Sequence, residues 1–584
     1  MKFSRRLVVI ALAGTLAVPA LAQQVPVVEK TLGNGMRLLM VRRTGEPTVA
    51  GGWVAHVGSA NERPGITGIS HFFEHMMFKG TPALGTKDAV KDKEIIAEQE
   101  KIADAIRKEE ATMRVAYLRG EIGDPMKREN WTPRRTELDA QMDKLIAAQR
   151  AILVKNEFDR IYTNGGASGM NAFTNYDMTG YFITVPSNKL ELWMWMESDR
   201  LLRPVFREFY AERDVVFEER RLRTESTPLG KFEEQLESMF WEASTYGWPV
   251  VGWPSDLVSY SLAQANDYYA TYYQPANITL ILVGDFDAAA TERMVTKYFG
   301  RIPAGKKPVP PVVTMEVPQQ AEKRMIAAAD TNPQADILWR TVPFRHKDSY
   351  ALQVLSQILS TRTGRLYKNL VLGSGVATEA FARQESRKYA GLFNAGGEAK
   401  DGRKPEEVEK AIYAELEKLQ KDEVPAEELQ KVKNNFAAAE YRRLSANFPI
   451  LVQLIFNEGL GDWKEFNESG KKIQAVTAAD VQRVATTYFT PENRTVAIYT
   501  RKAGAAPAAE DPDLAGLNDQ QKQMVRQLSQ QLATVNDPEQ LRQMLQRFDA
   551  QAGSAPAEMK PAMDAARKKI EARLAALEKA KAGK

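Results

Sequence analysis

The sequence of 584 residues contains no cysteine and only four histidines: His56, His71, His75 and His346. Without cysteine the chain can form no disulfide, no thiolate metal site and no cysteine nucleophile. Any chemistry that needs an imidazole must therefore use one of these four residues. No stretch after the amino-terminal segment reaches 18 consecutive apolar residues, so we expect no membrane span.

The amino-terminal segment has the layout of a secretory signal peptide. Lys2, Arg5 and Arg6 precede an apolar stretch, and residues 20–22 offer a cleavage site of small residues. The alternative is a membrane anchor, but the apolar run is too short to cross a bilayer. We predict that residues 1–22 are cleaved after about Ala22 and that the protein is exported to the periplasm. Cleavage takes the formal net charge from +4 to +1, which argues against a nucleic-acid partner.

An internal repeat divides the chain into two halves. Residues 271–280 (TYYQPANITL) match residues 487–496 (TYFTPENRTV), and in both copies a helical pattern precedes a β-rich run. A linker at 303–318, basic and rich in proline at its start, separates the copies. Since each half mixes strands and helices, we predict an α+β fold of two duplicated domains, 23–302 and 319–502, each a sheet covered by helices.

Two segments are predicted as additions to these domains. Residues 86–158 are rich in Lys, Glu, Ala and Arg and predict a helical hairpin, with helices at about 88–120 and 133–158. Residues 503–584 predict a helical C-terminal extension with three helical patterns. The sequence leaves open whether this extension docks a partner or is a surface appendage.

The five residues from His71 to His75 form the pattern H-x-x-E-H, which includes half of all the histidines. On a helix, His71 and His75 are one turn apart on the same face, where two imidazoles can hold one Zn²⁺. Glu74 lies close enough to accept a proton from water near the metal. The alternative is a helix without a metal site, in which the two histidines are incidental and the glutamate lies on the surface. The pattern is typical of zinc peptidases of the inverted type, and its chance occurrence is rare.

A catalytic zinc ion needs a third protein ligand. His56 and His346 lie in strand-like or loop-like contexts, so we expect a carboxylate to complete the site. Glu212 and Glu219 are seven residues apart on one predicted helix and point the same way. An acidic helix face is more often solvated than ligating. Spacing alone therefore does not select Glu219 from the 75 acidic residues.

The order of motifs along the chain resembles the pitrilysin/insulinase family of zinc peptidases, over roughly residues 28–500. The resemblance rests on four stretches, which are residues 71–81, 165–174, 212–219 and 364–370. It implies that Glu74 is the general base and that zinc is bound by three ligands, His71, His75 and Glu219. It also implies that Glu212 is a carboxylate that orients a ligand. A peptide substrate would add as a strand along Asn171, Ala172 and Phe173.

The chain departs from the family pattern at two places. His75 and Glu219 are 144 residues apart, which is longer than usual, and the excess maps onto residues 86–158. Active members commonly carry an Arg and, seven residues later, a Tyr that reach over the substrate carbonyl, whereas this chain has Val371 and Thr378 there. Loss of such a donor costs roughly 10²–10³ in rate.

The resemblance to paired half-size chains of the family implies a homologous partner chain that supplies the missing Arg and Tyr. The partner is either a different chain, in a heterodimer, or a second copy, in a homodimer. We therefore expect a zinc-dependent endopeptidase that hydrolyses peptides or unfolded segments. The alternative is a catalytically weak or inactive relative that binds peptides or scaffolds an envelope complex.

Overall fold

The structure, a computed structural model, describes residues 24–502 without a gap, single positions between 512 and 535, and the ranges 538–552 and 559–582. The predicted signal peptide lies outside the described residues. The rest divides into two compact units. The larger unit contains nearly all described residues up to Thr500, and the smaller one contains those from Arg501 onward together with residues 330–332.

A sheet of six strands forms in the first half. Its strands are β1 Val28–Thr31, β2 Arg37–Arg42, β3 Thr48–Ala55, β4 Ser168–Thr174, β5 Thr179–Pro186 and β6 Ile278–Gly284. Their order is β1-β2-β6-β3-β5-β4, so β4 is an edge strand. β2 and β6 pair in parallel, and the other pairs are antiparallel. Every residue of β6 is buried, which fits its largely apolar sequence, in which Thr279 is the one polar residue, in a sheet covered on both faces.

The second half repeats this arrangement with five strands. They are β7 Lys323–Ala329, β8 Gln334–Thr341, β9 Ala377–Ser386, β10 Gly391–Ala399 and β11 Arg494–Arg501. Their order across the sheet is β7-β11-β8-β10-β9. If β1 is left aside, β2-β6-β3-β5-β4 of the first sheet corresponds strand by strand to this order. The predicted α+β fold with two duplicated, helix-covered sheets is confirmed.

Helices connect and cover both sheets. Those of the first half are α1 Ile69–Met76, α2 Ala89–Leu118, α3 Pro133–Ile152, α4 Glu157–Asn164, α5 Leu190–Leu202, α6 Phe209–Arg220, α7 Gly230–Phe240, α8 Pro254–Leu257, α9 Leu262–Tyr272 and α10 Ala288–Phe299. Those of the second half are α11 Ser349–Ser360, α12 Pro405–Lys421, α13 Ala426–Arg443, α14 Asn447–Leu460, α15 Glu465–Ala475 and α16 Ala478–Tyr488. The predicted linker, 303–318, contains no helix or strand.

The sequence repeat corresponds to a repeated helix–turn–strand unit. α9 leads into β6, and α16 leads into β11. Both helices begin with a capping box, formed by Ser261 with Gln264 and by Thr477 with Asp480. The asparagine of each turn donates from Nδ2 to the last helical carbonyl, over 2.8 Å in both copies (Asn277 to Tyr272 and Asn493 to Tyr488). The two copies are therefore held by the same local contacts.

Each half also contributes a helix to the core of the other. On α14 of the second half, Leu454 and Ile455 are fully buried against the apolar face of the first sheet that includes Leu39 and Val54. In the reverse direction, Leu236 on α7 packs in a cluster with residues of the second sheet. The two sheets thus have interdependent cores, which no local sequence pattern indicates.

The predicted helical hairpin is present as α2 and α3, which pack against each other. With 30 residues, α2 is about 45 Å long. Its base is fixed by the buried Arg207, which pairs with Asp92 at 2.6 Å and donates to three backbone carbonyls. The second helix ends at Ile152, six residues earlier than predicted. The chain is extended at Leu153 and turns at Asn156, which has a φ of 52°, before α4 begins.

The smaller unit contains α17 Pro538–Ala552 and α18 Lys560–Ala582, which pack against each other. They confirm two of the three helical patterns predicted for the C-terminal extension, and the third falls in a stretch that is described only at single positions. Across the described positions, no helix combines the length and apolar character that crossing a bilayer requires.

Candidate metal centre and active site

Helix α1 carries the H-x-x-E-H pattern and is fixed at its start by a buried carboxylate. Glu62 accepts hydrogen bonds from the backbone N–H groups of Gly68 at 2.7 Å and Ser70 at 2.8 Å. These are amides that a helix start leaves without an intrahelical partner. On the core side, the rings of Phe72 and Phe73 are fully buried. Phe72 also contacts Phe209 of α6, with 4.9 Å between the ring centres, and this packing holds α1 against α6.

The structure brings His71, His75 and Glu219 together. The Nε2 atom of His71 lies 3.6 Å from one carboxylate oxygen of Glu219, and the Nε2 atom of His75 lies 3.3 Å from the other. One ligand atom from each residue fits within a mutual separation of 4.8 Å. Among the described residues, this is the one group of three His, Asp or Glu side chains arranged to hold a metal ion.

Glu212 lies behind His75, on the same face of α6 as Glu219. Its Oε1 is 2.9 Å from Nδ1 of His75, and its Oε2 is 2.5 Å from Nζ of Lys79. Lys79 also reaches Glu208 at 3.4 Å. A carboxylate at Nδ1 fixes the orientation of the imidazole and directs Nε2 toward Glu219, as in metal sites with a supporting carboxylate.

The charges of the cluster favour a bound cation. Burial, followed by the neighbouring His75, lowers the pKa of His71 to about 4, so this imidazole is neutral. Burial would also lower the pKa of His75, but its hydrogen bonds to Glu212 and Glu219 raise it to about 9. A proton on His75 therefore lies between two carboxylates. A divalent metal ion would displace that proton, as metal binding to histidine generally does.

Glu219 is kept ionised by the groups around it. Burial alone would raise its pKa, but the hydrogen bond with His75, the electrostatic interaction with nearby His71 and the charge of Arg223 lower it to about 2. Arg223 lies on the π-helical turn after α6, with Nη1 at 2.8 Å from Glu219 Oε1. The residues fit a tetrahedral zinc site, since two neutral nitrogens and one carboxylate leave the fourth position open.

Glu74 lies next to the cluster and accepts a hydrogen bond from Thr174. The distance from Thr174 Oγ1 to Glu74 Oε2 is 2.7 Å. Burial raises the pKa of the Glu74 carboxyl above its usual range, and the bond from Thr174 opposes this effect. A carboxylate with a raised pKa is a stronger base, which suits a residue that must take up a proton.

The three predicted substrate residues lie on the edge strand β4 and face different ways. Ala172 packs on the side of the sheet that faces α1, whereas Phe173 packs on the opposite side, with α14. The Phe173 ring stacks on Phe456 at 4.7 Å and lies over Gly180, where a Cβ atom would be 2.6 Å from the ring. Asn171 is exposed at the edge and accepts a hydrogen bond from the N–H of Ala172 at 2.9 Å.

A cavity of about 470 Å³ opens beside the cluster. Glu74, His75, Asn171 and Ala172 line one side. The base of the helical hairpin and the end of α1 supply an apolar wall, made of Phe78, Leu84, Leu153, Val154 and Phe158. The hairpin insertion therefore contributes directly to the surroundings of the candidate site.

Val371 and Thr378 lie in the second half, away from any such cluster. Val371 is in the π-helical segment Tyr367–Gly373, and Thr378 is in β9, where its hydroxyl donates to Glu398 at 2.8 Å. Neither side chain can supply the charge of an Arg or the phenol of a Tyr.

Sequence reasoning missed three polar residues of the site. Lys79 and Arg223 each lie four residues after a candidate ligand, so helical spacing could have indicated them. Thr174 is 100 residues from Glu74, and nothing local in the sequence links the two.

The chain matches two family profiles. One, described as "Insulinase (Peptidase family M16)", covers residues 37–111, and another, described as "Peptidase M16 inactive domain", covers residues 259–436. The chain is also 30% identical over 346 residues to the zinc protease PqqE of Helicobacter pylori. The aligned region covers 58% of this chain and 77% of that protein. This chain belongs to the insulinase family, peptidase family M16.

Solved structures of family members share its fold. A protease from Helicobacter pylori superposes with a TM-score of 0.67 at 23% identity, over 82% of this chain and all of that one. The periplasmic protease PqqL of Escherichia coli gives a TM-score of 0.60 at 16% identity, over 82% of this chain and 48% of that one. At these identities the M16 likeness supports the two-sheet architecture alone.

Proposed function

We propose that this chain is a zinc-dependent endopeptidase that hydrolyses peptides or unfolded segments of proteins. The observation that carries the proposal is the convergence of His71, His75 and Glu219 beside Glu74, at the edge of an open cavity. Membership of the M16 family and the likeness to a named zinc protease support it.

In this proposal, His71, His75 and Glu219 bind the metal through the two Nε2 atoms and a carboxylate oxygen. Glu212 holds His75 in the tautomer that presents a lone pair at Nε2. When bound, zinc supplies a Lewis acid that polarises a carbonyl and makes water a better nucleophile near neutral pH. Lys79 keeps Glu212 charged, because its ammonium group contributes to the lowered pKa of that carboxyl.

Glu74 acts as the general base of the hydrolysis. Its carboxylate accepts a proton from the attacking water and later passes it to the leaving amine as the peptide bond breaks. The raised pKa of Glu74 suits both transfers, since the group must gain and lose the proton near neutral pH.

The substrate is proposed to bind as an added strand along β4. The outer edge of β4 is unpaired within the described sheet, so its backbone can pair with an extended peptide. Alternate side chains of that peptide would then face the cavity and the opposite side of the sheet, where Phe173 lies. Asn171 and Ala172, which line the cavity, would contact substrate residues next to the scissile bond. The requirement for an extended backbone favours peptides and unfolded segments over folded proteins.

A homologous partner chain is proposed to supply the Arg and Tyr that Val371 and Thr378 do not provide. Location in the periplasm is proposed from the predicted signal peptide, and the solved relative from Escherichia coli is named as a periplasmic protease.

The decisive experiment is digestion of a peptide mixture, followed by mass spectrometry, with and without a zinc chelator. It is run with this chain alone and with a homologue encoded by a neighbouring gene. We expect cleavage that the chelator abolishes and added zinc restores. Cleavage that is unchanged after verified metal removal would contradict the proposal.

Replacement of the base tests the role of Glu74. Glu74→Gln should retain zinc at the wild-type stoichiometry and lower kcat/KM by about 10²–10⁴-fold, the usual contribution of general base catalysis. Glu218→Gln is the matched control, because Glu218 is exposed on α6 and pairs with Arg221 outside the cluster. Glu218→Gln should leave both zinc content and turnover unchanged. Turnover by pure Glu74→Gln protein at the wild-type rate would rule out the assigned base.

The second candidate function is a weak or inactive relative that binds peptides. The match of residues 259–436 to an inactive domain and the absence of the Arg and Tyr favour it. Metal analysis separates the candidates, because purified protein without zinc, and unable to take it up, would favour the binding role.

A further inference from the structure

Thr174 makes the one side-chain hydrogen bond seen for Glu74 within the described chain. Its hydroxyl donates to Oε2 at 2.7 Å, which leaves Oε1 without a protein donor. A general base needs one oxygen free for the proton and a fixed orientation for the carboxylate. The Thr174 hydroxyl meets both requirements, because it ties one oxygen and leaves the other available.

Thr174 is the last residue of β4, and the turn after it is anchored in the first half. The carbonyl oxygens of Asn175 and Tyr176 accept hydrogen bonds from the N–H groups of Ser59 at 3.2 Å and Ala60 at 2.8 Å. The position of the hydroxyl is therefore set by the backbone on one side.

The same turn is also held by Tyr246 of the first half and by the turn between β9 and β10 of the second half. Asp177 is buried and accepts from the phenol of Tyr246 at 2.6 Å and from the N–H of Lys388 at 3.0 Å. The N–H of Tyr389 donates to the same phenol oxygen at 3.0 Å. The guanidinium of Arg387 lies 3.6 Å from the centre of the Tyr176 ring. The turn between β9 and β10 thus contacts the segment that follows Thr174 and restricts its movement.

We propose that Thr174 is a positioning residue for Glu74 and that the second half helps to hold it in place, because Lys388 and Tyr389 donate to Asp177 and Tyr246 of the first half. The proposal rests on the proposed role of Glu74 as the base. It gives the half without a metal-binding helix a part in the reaction. It also couples the substrate edge to the base, since Thr174 and the predicted substrate residues lie on the same strand, β4.

Two variants of the full chain test whether the hydroxyl of Thr174 positions Glu74. Thr174→Val keeps the shape and removes the hydroxyl, whereas Thr174→Ser keeps the hydroxyl. We expect Thr174→Val to lower kcat by about 10- to 100-fold, the range for outer-shell partners, with KM, zinc content and thermal midpoint unchanged. Thr174→Ser should restore kcat to within a few-fold of the wild type.

Crystal structures of the zinc-loaded variants supply a readout that does not depend on turnover. We expect Glu74 to keep its orientation in Thr174→Ser and to lose it in Thr174→Val. If Glu74 is unmoved and kcat is unchanged in Thr174→Val, the inference is overturned while the proposed function stands. If the wild-type chain, with its partner, cleaves no peptide, the proposed function fails, and the structures still decide the positioning role.

Tyr246 and Tyr499 provide a matched pair to test whether the hydrogen bonds around Asp177 hold Thr174 in place. Both belong to the same buried cluster. The phenol of Tyr499 has no hydrogen-bond partner in the described part of the chain, whereas that of Tyr246 bridges Asp177 and Tyr389. Tyr246→Phe should lower kcat several-fold, by less than Thr174→Val, with KM unchanged. Tyr499→Phe should leave kcat unchanged. Equal kcat values for the two variants would contradict the role of the hydrogen-bond network in which Tyr246 joins Asp177 to Tyr389 of the second half.

Discussion

The two halves of the molecule differ in the helix that follows β3 in the first half and β8 in the second, which are corresponding strands. After β3, helix α1 carries two histidines that face Glu219 of α6 and a glutamate that accepts a hydrogen bond from Thr174 of β4. After β8, helix α11 has the sequence SYALQVLSQILS, which contains no metal-binding side chain, and nearly all of it is buried. The same position in a duplicated fold therefore serves chemistry in one copy and packing in the other.

The difference shows that the duplicated architecture does not by itself specify a site. Both halves keep the strand order, the capping box and the asparagine of the turn, because these features form the sheet and its connections. The candidate ligands, with His71 buried, lie where α1 packs against α6 and not in the strands that form the sheet. Changes there can remove a metal site from one copy without disturbing its fold.

Removal of a ligand should give the largest effect. His71→Ala is expected to lose zinc and reduce peptide cleavage to background, because two ligands rarely hold a catalytic zinc ion. His346→Ala, in the second half, should retain both zinc and activity. Metal content by mass spectrometry and cleavage assays measure both. If His71→Ala keeps the wild-type zinc content, His71 is not a required ligand, and the expected difference in metal binding between the halves is contradicted.

Truncation of a buried leucine, on a helix that packs against the sheet of the other half, should give the next largest effect. Leu454→Ala on α14 and Leu236→Ala on α7 each leave a cavity in the sheet of the other half. Each should lower the free energy of unfolding by about 2–5 kcal/mol. Leu118→Ala, at an exposed position of the hairpin, should change it by less than about 0.5 kcal/mol.

Denaturant unfolding distinguishes shared from separate cores. Because each half completes the core of the other, both core variants should shift the same unfolding transition of the larger unit. Two transitions, each sensitive to only one of the variants, would show that the halves are independent.

The smallest expected effect concerns the repeated capping boxes. Ser261→Ala and Thr477→Ala each remove the side-chain acceptor at a helix start, which costs typically about 1 kcal/mol. Since both boxes have the same geometry, with N–H to hydroxyl distances of 3.1 Å, the urea midpoints should fall by similar amounts. A loss in only one copy would show that the repeated units are not energetically equivalent.

Patterns within single elements were predictable from the sequence. The repeat located α9, β6, α16 and β11 because its turn residues are strongly local signals. The spacing of His71 and His75 placed both on one face of α1. The same argument put Glu212 and Glu219 on one face of α6, although the choice of Glu219 as a candidate ligand came from the family resemblance.

Contacts between distant segments were not predictable in this way. The hydrogen bond from Thr174 to Glu74 and the burial of Leu454 in the first sheet depend on tertiary packing, which leaves no periodic trace in either segment. α14 reads as an apolar helix of the second half, and its sequence does not say which sheet it covers. The end of α3 at Ile152 was also missed, because the local Lys and Glu content continues past the turn at Asn156.

Each half packs one helix, α7 or α14, against the sheet of the other half, and this arrangement limits how such a chain can be cut or can evolve. A fragment that ends at the linker would expose the apolar residues of the first sheet on which α14 lies, including Leu39 and Val54. Such a fragment would be prone to aggregate. The duplicated halves are therefore expected to be inherited, expressed and degraded together, even though only one of them carries the candidate metal ligands.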